Sequence, residues 1–98
     1  MKKALSWLTY EEKLKRLSYS TSRVLEAIKA NWPANPLEVA EFLGEKGNQK
    51  SLSAKYVYHF KKLKKAGLIM MKKVGNTYVA WPIEIEKLRL ANEFLKGL

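Results

Sequence analysis

Eight lysines and not one acidic residue lie between Gly47 and Ile83. Six of them, Lys50, Lys55, Lys61, Lys62, Lys64 and Lys65, fall in one stretch, NQKSLSAKYVYHFKKLKKAGLI, from Asn48 to Ile69. The chemistry open to such a set is recognition of a polyanion. Ammonium groups neutralise phosphates, and the short polar side chains at the start of the stretch, Asn48, Gln49, Ser51 and Ser53, can exchange hydrogen bonds with base edges. Bond-breaking chemistry lacks its parts. His59 is the only histidine, there is no cysteine, and no nucleophile, carboxylate pair or phosphate-cradling glycine loop accompanies it. No catalytic residue, metal site or cofactor is therefore expected. The lack of cysteine also removes a disulfide framework and fits a reducing cytoplasm.

The basic stretch needs a frame. Its apolar residues Val57, Phe60 and Leu63 recur at helical spacing with Tyr56 beside them, and Gly67 stands where a left-handed C-cap residue belongs, so the spacing predicts one amphipathic helix with Ser51 or Ser53 as N-cap. Three shorter helices precede it. Thr9 and Glu12 form a capping-box pair ahead of a short helix from about Tyr10, in a segment whose apolar residues run from Leu5 to Leu17. Val24, Leu25, Ile28 and Trp32 make a stripe for a helix from about Thr21 to Asn31, capped by Ser20 or Thr21 and ended by Pro33. Asn35-Pro36-Leu37-Glu38 is a helix start, with Leu37, Ala40 and Leu43 as its buried face and Gly44 as its stop. After Gly67 the period changes. Two β-prone runs, Leu68–Val74 and Thr77–Trp81, flank Gly75-Asn76, which predicts a hairpin closed by Pro82. The tail from Ile83 is helical again, with Leu88, Ala91, Leu95 and Leu98 on one face and Phe94 next to it. The expected class is α+β, mostly α, in the order α-α-α-α-β-β-α.

At 98 residues the chain is one domain's worth, and a 47% hydrophobic content is enough for a core. The net charge of +10 is unevenly spread. Residues 1–46 hold eight basic and six acidic side chains and residues 84–98 hold three of each, so the excess belongs to the middle third. Charges that served solubility alone would be interspersed. No run approaches the roughly 20 apolar residues of a membrane span. MKKALSWLTYEE, with acids directly after a short apolar patch, does not read as a signal peptide.

At this point individual residues resemble a known family. Val57-Tyr58-His59-Phe60-Lys61-Lys62-Leu63-Lys64-Lys65-Ala66-Gly67-Leu68-Ile69 is similar to the recognition-helix end of ArsR-like and related prokaryotic winged-helix repressors, which read roughly V-S-x-H-L-x-x-L-x-x-A-G-L-V there. Pro36-Leu37-Glu38-Val39-Ala40-Glu41-Phe42-Leu43 resembles their preceding helix, S-P-x-E-L-A-x-x-L. The resemblance covers about Thr21 to Trp81. Two departures matter: the metal-sensing members use cysteine ligands that this chain lacks, and the turn GEKGNQKSL is longer than in the tightest helix-turn-helix units. The lysine excess and small size are similar to those of small archaeal regulators.

The resemblance implies a winged helix-turn-helix domain, with its core at about 20–82, that binds double-stranded DNA in a prokaryotic cytoplasm as a nucleoid-associated transcriptional regulator. Asn48, Gln49, Lys50, Ser51, Ser53, Lys55 and Tyr58 would occupy the groove-facing entrance, Gln49 suited to an adenine edge and a lysine to guanine, with Ser51, Ser53 and Tyr58 better suited to phosphate. Lys61, Lys62, Lys64 and Lys65 would grip phosphate where the helix leaves the groove, with His59 in a structural or phosphate-contacting place. Lys72, Lys73 and Asn76 would reach the backbone from the wing, and Arg23 is a further basic candidate. Trp7, Leu8, Leu14, Leu88, Ala91, Phe94 and Leu95 are much apolar surface for one small domain to bury at once, so the terminal segments are expected to form a homodimer, the alternative being that both ends pack over the back of their own domain. Two competitors remain open: an architectural DNA binder that reads no sequence, and a winged-helix module that binds an acidic protein surface.

Overall fold

The computed structural model describes residues 8–97. Among them the chain is α+β and mostly helical, with five helices and one antiparallel hairpin in the expected order: α1 Tyr10–Lys15, α2 Tyr19–Ala30, α3 Pro36–Phe42, α4 Gln49–Lys65, β1 Ile69–Val74, β2 Thr77–Pro82 and α5 Ile83–Lys96. Trp7 and Leu98 lie outside the described residues.

Local chemistry accounts for most boundaries. Thr9 and Glu12 close a full capping box on α1, and Asn35 and Glu38 close another on α3, where Pro36 needs no N–H partner. Both α3 and α4 stop in the same way. Gly44 at φ 75° and Gly67 at φ 78° turn the chain left-handed. The next N–H then reaches back five residues, Glu45 to the Ala40 carbonyl at 2.9 Å and Leu68 to the Leu63 carbonyl at 3.0 Å.

Three expectations are corrected. α2 starts at Tyr19, two residues early, because Ser18 caps it and Thr21 is buried inside. α4 is capped by Asn48, whose Oδ1 accepts the Ser51 N–H at 3.1 Å, so neither serine serves as the cap. In α3 the buried stripe is Pro36, Val39 and Ala40, while Leu37 is exposed and Leu43 only half-buried. Two turns of helix hold too few residues for pattern alone to set the phase, and the docking of Pro36 into the core decides it.

The core gathers Val24, Leu25 and Ile28 of α2, Val39 and Ala40 of α3, Phe60 and Leu63 of α4, and Leu68, Ile69 and Ala80 around the hairpin. α4 packs on α2, α3 and β1. The hairpin is tied down by a bridge outside its own ladder: Ala34 and Ala80 exchange backbone hydrogen bonds of 3.0 and 2.9 Å. The ends of the chain behave differently. Tyr10, Leu14 and Leu17 pack against the core, whereas every residue of α5 from Lys87 onward is exposed. Among the described residues no helix is long and apolar enough to cross a membrane.

Phe60 is fully buried at the centre of α4. Phe60→Ala is expected to lower unfolding free energy by about 3–5 kcal/mol in urea titration, with the slope unchanged. A loss under about 1 kcal/mol would mean that α4 is not anchored through this side chain.

Candidate nucleic-acid interface

Burying Tyr56, His59, Phe60 and Leu63 leaves the opposite side of α4 in solvent. Ser51, Ala54, Lys55, Tyr58, Lys61, Lys62 and Lys65 are all exposed, and their three- and four-residue spacing aligns them in a single stripe. From Ser51 to Lys65 the stripe is about 21 Å long at the helical rise. That exceeds the ~12 Å width of a major groove, so such a helix placed in one must also meet the flanking backbone. The stripe is graded along its length. Gln49, Lys50 and Ser51 stand exposed at the entrance, while the exit is lysine only apart from Tyr58, whose ring lies 5.3 Å from the Lys62 ammonium.

The hairpin extends the basic surface through a cleft of about 450 Å³ lined by Lys61, Lys64, Lys65, Met71, Lys73 and Tyr78. The two-residue turn at Gly75-Asn76 sets a register that pairs Lys73 with Tyr78 and Lys72 with Val79. Successive strand residues face opposite ways, so Lys73 joins the cleft with Met71 and Lys72 belongs to the other face. Asn76 is exposed at the turn. Tyr78 was not among the expected site residues. Its ring lies 5.9 Å from the Lys61 ammonium, and counting the register outward from Gly75-Asn76 is enough to place it opposite Lys73.

Other expected residues stand apart from the stripe. Asn48 is engaged as the cap, and Ser53 is half-buried. His59 is only 8% exposed, its Nδ1 3.1 Å from the Thr21 hydroxyl of α2. Burial, then the positive charges of Lys62 and Lys55, push the imidazole below its ordinary pKa and keep it neutral. Lys55 differs from its neighbours. Its ammonium donates to both carboxylate oxygens of Glu45, at 2.9 and 2.8 Å, and the Tyr56 hydroxyl donates to the same carboxylate at 2.5 Å. These bonds, Lys55 first and Tyr56 second, hold the Glu45 carboxyl below the usual range. Tyr56 is pushed up to about 12, by burial first and then by the same bond. Among the described residues, Lys55 is the only one of the eight lysines to carry an ion pair.

No protein-family model, curated protein or solved structure gives a significant match to this chain. The surface therefore has to be read on its own chemistry. Among the described residues no group of three or more His, Cys, Asp or Glu side chains could hold a metal ion.

Because folding depresses the His59 pKa, its contribution to stability is complete above the unfolded value near 6.5 and is lost as pH falls below it. The wild-type melting temperature is expected to drop between about pH 7 and pH 5.5, and His59→Gln to lose that drop whatever its absolute stability. An unchanged pH profile in the variant would assign the drop to other groups.

Proposed function

We propose that this chain is a winged helix-turn-helix protein that binds double-stranded DNA, with α4 as recognition helix in the major groove and the β1–β2 hairpin as wing on the adjacent backbone. One observation carries the reading: the solvent-facing stripe of α4 runs without interruption from a hydrogen-bonding entrance to a lysine exit that is continuous with the hairpin cleft. A single-stranded polyanion would call for exposed aromatic platforms, and Tyr58 is the only exposed aromatic on this helix. The layout supports the same reading. Helices α2, α3 and α4 precede the hairpin, and the Ala34–Ala80 bridge adds a short third edge to it.

The functional unit in this proposal is a homodimer joined through α5. Leu88, Ala91 and Leu95 have the three-four spacing of a coiled-coil seam, and Phe94, three positions from Ala91, widens it. Leu88 and Phe94 are 67% and 70% exposed, a face left uncovered among the described residues. Leu14, by contrast, is half-buried against the protein's own core. Such a dimer sets two recognition helices on one duplex, as a sequence-reading regulator on the nucleoid in a prokaryotic cytoplasm requires.

Two measurements test the proposal. Gel shifts on duplex DNA are expected to show log K falling with log salt at a slope near −5, for roughly six phosphates neutralised, with Lys62→Glu flattening it by about 1. Gln49→Ala is expected to relax the motif selected from a random DNA pool. Equal affinity for every sequence at one salt concentration would turn the reading to an architectural binder, and no binding at any salt would turn it to a protein-interaction module. In the second measurement, light scattering at micromolar concentration is expected to give a dimer that Leu88→Lys with Leu95→Lys converts to monomer. A monomeric wild type would remove the α5 seam.

A further inference from the structure

The turn between α3 and α4 carries an acidic side chain that meets the exposed stripe. Glu45 is held there from both ends. Its backbone N–H closes the stop of α3 on the Ala40 carbonyl, and its carboxylate takes both bonds from Lys55 and one from the Tyr56 hydroxyl. The bridge is open to solvent, with side-chain exposures of 50% for Lys55 and 33% for Glu45. It therefore stands on the surface a ligand would meet.

The electrostatic consequence is local. The first half of α4 has two cations, Lys50 and Lys55, and Glu45 cancels one of them. The second half has Lys61, Lys62, Lys64 and Lys65, and among the described residues none of these is paired. A carboxylate only accepts hydrogen bonds. Phosphate diesters have no donor to give it and repel it, whereas the major-groove edge presents donors in the exocyclic amines of cytosine and adenine.

On the DNA-binding reading above, we infer that Glu45 is a specificity-determining residue: it clamps Lys55 and holds a negative charge at the entrance of α4, which bars that end from phosphate and restricts it to base edges. Nonspecific affinity then comes chiefly from the exit and the hairpin, with Lys50 the one cation at the entrance that carries no ion pair among the described residues. Releasing Lys55 adds a phosphate contact that is the same on every sequence, so affinity rises while discrimination falls.

The experiment compares wild type, Glu45→Gln, Lys55→Met and the double variant on random-sequence duplex across about 50–200 mM salt. Gln keeps the shape of the side chain and an acceptor for Tyr56. Glu45→Gln is expected to bind random duplex roughly fivefold more tightly and to steepen the salt slope by about 0.9, one extra phosphate. Lys55→Met alone is expected to leave the wild-type slope unchanged, and the double variant to return to it. Identical affinity and slope for Glu45→Gln and wild type would overturn the inference. So would a slope flattened by about 0.9 in Lys55→Met, since Lys55 would then already sit on phosphate. Should Glu45→Gln fail to fold, the Lys55→Met slope decides by itself. Failure of wild type to bind any duplex is a different result, and removes the DNA-binding reading.

Discussion

Everything on the working surface depends on the burial of one side of α4. Phe60 and Leu63 are fully enclosed, Tyr56 and His59 nearly so, and this fixes the rotation of the helix about its axis. The exposed side repels itself. Lys61 lies three and four residues from Lys64 and Lys65, and Lys62 lies three from Lys65, each such pair costing roughly 0.2–0.5 kcal/mol. Full burial of Phe60 or Leu63 contributes about 1.5–3 kcal/mol each, which exceeds the sum of those repulsions. Lysines in the last turn also oppose the negative end of the helix dipole, worth about 0.3–1 kcal/mol. A concentrated cationic face is thus tolerated because it stands on a well-packed interior.

The same anchoring aligns surfaces contributed by different elements. α4 ends in a left-handed glycine, and β1 leaves at once with Leu68 and Ile69 buried, so the hairpin cannot swing away from the helix exit. The Ala34–Ala80 bridge holds its far strand against the α2–α3 linker. Lys73 and Tyr78 then meet Lys61 and Lys65 across a cleft instead of lying on a separate arm. At the other end of α4, the Schellman turn that stops α3 delivers Glu45 to Lys55. Among the described residues the lysines at the exit carry no ion pair, while the entrance holds the bonds of Lys55 and Tyr56 to Glu45.

The two ends of the chain meet the demand for burial in opposite ways. α1 lays Tyr10 and Leu14 on the core, and Leu17 behind it does the same. Among the described residues α5 is fastened at its root, where Ile83 donates its N–H to the Leu68 carbonyl and Trp81 Nε1 donates to Glu86 at 3.1 Å. Beyond that root, the Arg89 bonds to Glu86 and Glu93 organise one side of the helix, and Leu88, Ala91 and Leu95 occupy the other.

The sequence by itself determined what acts over a turn of chain. The capping boxes at Thr9 and Asn35, the stops at Gly44 and Gly67, the turn at Gly75-Asn76 and the Tyr56, Phe60 and Leu63 part of the buried side of α4 all join residues a few positions apart, so spacing exposes them, although Val57 of the same expected face is only half-buried. The middle-third charge was equally plain, because composition needs no geometry. What spacing could not carry is partnership over distance. Thr21 meets His59 across 38 positions, and Glu45 meets Lys55 across ten. The first contact takes a histidine off the surface; the second neutralises a lysine that looked the same as its neighbours. The facing of Lys72, the phase of α3 and the division of labour between α1 and α5 were likewise decided in the tertiary structure. Each depends on which apolar surfaces found cover, a competition among all elements at once that no single segment records.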